Sequence, residues 1–92
     1  MSAREGFNEM QAKAVADEIG VRFEKEAFDL GQFRRGMDVE LEHGRQDPET
    51  NVTNDDPLIT GKIAWAHLRE LPDYYTRLDE MEAEAEGRPA TD

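Results

Sequence analysis

Apolar positions fall at helical spacing along most of this chain. Over residues 8–19, Ala12, Val15, Ala16 and Ile19 recur at intervals of three, one and three. This predicts a short, weakly apolar first helix closed by Gly20, a residue suited to a left-handed C-cap. Val21 and Phe23 follow as apolar anchors on a connecting segment. The second helix is better marked, because Asp29 and Gln32 have the spacing of a capping box and Phe28 and Phe33 that of a hydrophobic staple. Leu30, Phe33, Met37 and Leu41 then draw one stripe over residues 30–43, up to Gly44. Gly36 interrupts this helix at a cost of about 1 kcal/mol relative to Ala, which points to a neighbouring helix packed close against it.

Residues 45–56 have no periodicity and many turn formers, so they predict a polar connection. The alternation of Asp47, Glu49, Asn51, Thr53 and Asp55 superficially matches a calcium loop, but Val52 and Leu58 stand where such a loop needs Gly and a bidentate Glu. A third helix over 57–70 opens with Asp56 as N-cap and Pro57 in its first turn. At 100° per residue its apolar side chains cover most of the circumference and leave Lys62 and Arg69 on a narrow polar strip. That pattern predicts a central helix with Trp65 as the largest contributor to the core. Pro72 forces a break, and Tyr74, Leu78, Met81 and Ala85 mark a fourth helix over 72–86. Acids crowd its C-terminal end against the helix dipole, which predicts fraying from about Glu82 and a disordered tail over 87–92. No stretch alternates with a period of two. The expected fold is all-α: a small four-helix bundle forming one domain over residues 1–86, with its nucleus in 28–82.

Charge narrows the partners. The 92 residues include 22 Asp and Glu against 11 Lys and Arg, a formal charge of −11 that repels nucleic-acid backbones and anionic lipid surfaces. No apolar run approaches a membrane span, and the first ten residues lack a signal-peptide core. The expected setting is therefore cytoplasmic. Eight Arg against three Lys, with acids in every segment, suits either a molar-salt cytoplasm or a high-GC coding bias, and the compositional cause is the simpler one. The absence of Cys excludes disulfides and thiolate chemistry.

The candidate chemistry lies in the only two histidines. Glu40 precedes His43 by three residues on the second helix, and His67 precedes Glu70 by three on the third. Each pair shares a helical face, and Glu-x-x-His is the ligand pattern of carboxylate-bridged di-iron bundles. Glu40, His43, His67 and Glu70 are thus a candidate set for a divalent metal ion. Against this, the helices are short, the second pair runs in reverse order, and a core His67 bonded to Glu40 is a satisfied polar pair. No Ser/His/Asp or Cys/His set and no Gly-rich phosphate loop is present, so neither catalytic residues nor a cofactor is expected. Of the Tyr74-Tyr75 pair, one ring is expected in the core and the other, Tyr75, at the edge of the apolar face. Tyr75 and Trp65 are the candidate anchors for a protein partner.

The blocks GMDVELEHG (36–44), TNVTNDDPLITGKIAWAHL (50–68) and PDYYTRLDEME (72–82) together resemble a domain of unknown function found in small proteins of bacteria, archaea and their viruses. The resemblance covers about residues 28–82 and carries no established activity. It implies, by analogy, a phage or virion setting. The leading expectation is a non-enzymatic interaction or structural module, acting on a protein partner or as a homo-oligomer. A metal-binding protein is the alternative. An acidic mimic of nucleic acid is a third possibility, against which the even spread of acids counts.

Overall fold

Asn8 starts the first helix, α1 (Glu9–Ile19), in the computed structural model, which describes residues 6–85. Its Oδ1 accepts from the Gln11 amide at 2.7 Å while Gln11 Oε1 accepts from the Asn8 amide at 2.9 Å, a full capping box that the apolar spacing did not reveal. Gly20 closes the helix with φ 95°, a left-handed conformation open to glycine at no steric cost.

A 3-10 turn (Phe23–Lys25) leads into α2 (Leu30–Glu40). Asp29 caps α2 by accepting from the Gln32 amide at 2.9 Å. Only half of the predicted box forms, because the Gln32 side chain turns to Thr76, donating to its hydroxyl at 3.4 Å. Phe23 stands edge-on to both Phe28 and Phe33, 6.0 Å from each, so the staple is a three-ring cluster. The helix predicted over 30–43 becomes α-helix to Glu40 and a 3-10 turn (Leu41–His43) beyond it.

The 44–56 connection is held by its own polar groups. The His43 carbonyl accepts from the Val52 amide at 2.7 Å, Asn51 Oδ1 from the Asn54 amide at 2.7 Å and Asp55 Oδ1 from the Arg45 amide at 2.9 Å. Asn54 and Asp55 both adopt positive φ, at 53° and 62°, a region that Asn and Asp tolerate better than other side chains.

Helix α3 (Pro57–Glu70) begins as expected. Asp56 Oδ1 accepts from the Leu58 amide at 2.8 Å and the Ile59 amide at 3.3 Å. Asp56→Ala should therefore cost about 1 kcal/mol of stability, measured by urea denaturation; an unchanged midpoint would show that the cap contributes nothing. Helix α4 (Tyr74–Ala85) starts two residues later than predicted, since Leu71-Pro72-Asp73 form a turn closed by the Tyr74 amide donating to the Leu71 carbonyl at 2.9 Å. It remains helical to Ala85 where fraying was expected from Glu82. Its acids point to water, while Asp79 is tied to Arg35 of α2 at 2.6 Å. The expected tail over 87–92 lies outside the described residues.

The four helices form an all-α bundle with no strand among the described residues. α2 packs against α3, α1 packs against both, and α4 closes against α2 and α3. Small residues set the spacing. A Cβ at Gly36 would lie 2.5 Å from Tyr75 Cε2 and 3.0 Å from Ala64 Cβ, and one at Gly61 would lie 2.6 Å from Val15 Cγ1. The core comprises Ala12, Val15 and Ala16 of α1, Phe33, Met37 and Val39 of α2, Ala64 and Leu68 of α3, and Tyr75 of α4, with Val21 and Phe28 from the connection. It thus reaches beyond the expected 28–82 nucleus to include α1. Trp65 only packs against this core from outside, and Tyr75 is the largest fully buried side chain instead. The reason is geometric: α3 is covered on the sides of Gly61, Ala64 and Leu68, while its Leu58 and Ile59 stay exposed. No helix among the described residues is long and apolar enough to cross a membrane.

Candidate functional site

Glu40 follows Phe33 and Gly36/Met37 at seven and four-to-three residues, which places it on the inward face of the last turn of α2. It is 2% exposed. A carboxylate so far from water costs several kcal/mol unless donors reach it. Tyr75 of α4 supplies one, its hydroxyl donating to Glu40 Oε2 at 2.7 Å. His67 of α3 brings Nδ1 to 3.0 Å from the same oxygen and 3.1 Å from the Tyr75 oxygen. A proton on Nδ1 satisfies this triangle, because the carboxylate can only accept. The His67 ring is in turn stacked on Tyr74, with centroids 4.5 Å apart and planes 13° from parallel. One residue from each of α2, α3 and α4 thus meets at a single buried oxygen.

The other oxygen, Oε1, is buried without a hydrogen-bond partner. His43 Nε2 lies 3.5 Å away, too long for a good hydrogen bond, and the His43 ring is half exposed. Burial, then the hydrogen bond from Tyr75 to Glu40 and the negative charge of that carboxylate, push the phenol well above its ordinary range. This favours the neutral phenol, which donates to Glu40 and so ties α4 to α2.

Three of the four residues proposed as metal ligands, Glu40, His43 and His67, come together around this carboxylate. Glu70 is exposed on α3. Among the described residues no group of three or more His, Asp or Glu side chains is arranged to hold a metal ion. His67 directs its facing nitrogen to the carboxylate and the phenol. Tyr75, expected at the edge of the apolar face, is instead wholly buried, and Tyr74 takes the partly exposed place. The cause is Gly36, whose missing side chain admits the Tyr75 ring against α2. Tyr75 is accordingly no surface anchor.

Trp65 does reach the surface. Its indole N–H donates to Glu26 Oε2 at 2.9 Å, and the Arg69 guanidinium lies 4.5 Å over its ring while pairing with the same carboxylate at 3.3 Å. Lys62, Trp65, Ala66 and Arg69 line an open hollow of about 450 Å³ along α3. Glu26 was not singled out by sequence, since no local pattern links it to a residue 39 positions away.

Residues 12–84 match the family described as "Protein of unknown function (DUF5661)". The chain belongs to that family. The DUF5661 match takes in most of α1 as well as α2, α3 and almost all of α4, so it covers both the Glu40–His67–Tyr75 meeting point and the Trp65 face. Comparison with curated proteins and with solved structures gives no match.

Proposed function

We propose that this DUF5661 chain is a non-enzymatic protein-interaction module whose docking surface is the outer face of α3. The observation that carries the reading is the state of Trp65, a large aromatic ring at the surface that is already immobilised. Glu26 holds its N–H and Arg69 covers its face, so docking against it costs little further side-chain ordering. Trp and Arg are the residue types most enriched among energetically dominant interface positions. Leu58, 39% exposed, continues the same face two turns earlier. The Glu40–His67–Tyr75 network supports the reading from the other side: it locks α2, α3 and α4 into a rigid platform and keeps its one phenol protonated. The setting we propose is the cytoplasm, or a virion where the resemblance to viral proteins holds.

The test uses a photo-reactive amino acid at exposed Ala66 on this face, with exposed Ala14 of α1 as control, in the full chain expressed in its native cells. A discrete cross-linked adduct from position 66 and none from position 14 is the expected result. Adducts from neither position, or equally from both, would overturn the assignment.

A further inference from the structure

The α3 face is a local exception in an acidic molecule. Lys62 and Arg69 flank Trp65 on it, and among the described residues Lys62 has no ion-pair partner. Its complement lies on the same chain. Along α4, Leu71, Tyr74, Leu78 and Met81 line a shallow apolar groove of about 170 Å³, together with Arg77, which is already paired to Asp73 at 2.8 Å. Met81 is 58% exposed. At 100° per residue, Glu80 and Glu84 fall on one side of this groove and Glu82 on the other, all exposed. One face is therefore an apolar centre with the cation Lys62 beside the Arg69–Glu26 pair, the other an apolar centre bordered by carboxylates. The helices carrying them have similar lengths, 14 and 12 residues, or about 21 and 18 Å.

We propose that the α3 face is occupied by α4 of a second copy of this chain, with Met81 against Trp65 and Ala66 and with Glu80 and Glu84 toward Lys62 and Arg69. The proposal rests on the α3 face being the docking surface and names what docks there. Two copies at −11 each repel at long range, but at about 0.15 M salt the screening length is near 8 Å, so charges on opposite flanks of the molecules are damped while pairs in contact are not. Complementary contacts then decide the register.

Sedimentation equilibrium and light scattering on the purified full-length chain at about 0.15 M salt test this. The expected result is a mass that rises above 10.5 kDa with concentration. Lys62→Glu and Glu84→Lys should each weaken the association about tenfold, and the double variant carrying both should recover most of the loss. Thermal melts of all three guard against a folding effect; these side chains are exposed, so little change is expected. A chain that stays monomeric up to millimolar concentration overturns the proposal, as does a double variant no tighter than the single ones. A monomeric chain that still yields the position-66 adduct shows that a different protein occupies the face, leaving the docking surface standing. A monomer with no adduct removes both.

Discussion

Tyr75→Phe should lower the unfolding free energy by about 1–3 kcal/mol, although it removes a single oxygen and keeps the ring. The loss arises at Glu40, whose Oε2 would keep only the His67 contact while Oε1 already has no hydrogen-bond partner. In a domain of this size the melting temperature should fall by roughly 4–8 °C for each kcal/mol lost. Tyr75→Ala also opens a cavity in the bundle centre and should cost about 3–5 kcal/mol, a large part of the 5–15 kcal/mol by which domains are ordinarily stable. A Phe variant that melts with the parent would show that the hydroxyl contributes nothing and that the triangle is incidental. The same variant has a signature in alkali. In the native chain the phenol is held above its unfolded value of about 10, so its contribution is complete below that pH. It declines as the pH rises past it, because the unfolded chain ionises first and gains. The parent should therefore lose stability above about pH 10 more steeply than Tyr75→Phe. Denaturation midpoints measured from pH 8 to 11 check the difference, and parallel curves would contradict it.

Gly36→Ala should also destabilise, against the usual direction for a glycine inside a helix. Helix propensity alone favours Ala by about 1 kcal/mol. The new methyl, however, would sit 2.5 Å from Tyr75 Cε2 and 3.0 Å from Ala64 Cβ. Neither neighbour can give way easily, since the Tyr75 ring is fully buried and tethered through its hydroxyl, and Ala64 belongs to the backbone of α3. Overpacking of this kind typically costs about 1–3 kcal/mol, so after the propensity gain a net loss of up to about 2 kcal/mol is expected. Gly31→Ala on the same helix supplies the contrast. Its Cβ would meet only Asp29 Oδ1 at 3.4 Å, so that variant should be neutral or slightly stabilised. Thermal melts of the two side by side decide the matter, and equal melting temperatures would mean that α4 can shift away from α2.

Much of this architecture is legible in the amino-acid order because local rules and tertiary packing agree. Asp56-Pro57, Gly20 and the stripe through Phe33 and Met37 each act within a turn or two of the chain, and each element lies close to where they put it. The disagreements have one common source. Size and position on their own helices place Trp65 in the core and Tyr75 at its edge, yet their burial depends on which side of α3 is covered and on the gap at Gly36. Helical angle distinguishes faces but does not say which neighbour each face meets.

Sequence by itself thus determined the four helices, the caps at Gly20, Asp29 and Asp56, the break at Pro72, the acidic surface, and a Glu40/His67 pairing consistent with the geometry, because these follow from spacing, backbone stereochemistry and charge. Only the tertiary structure decided that Tyr75 completes that pairing from the centre of the core, that Glu70 takes no part, and that Trp65 stands outside, pinned by Glu26. Those outcomes join residues up to 39 positions apart through packing, and no local propensity encodes which distant side chain will fill the space a glycine leaves.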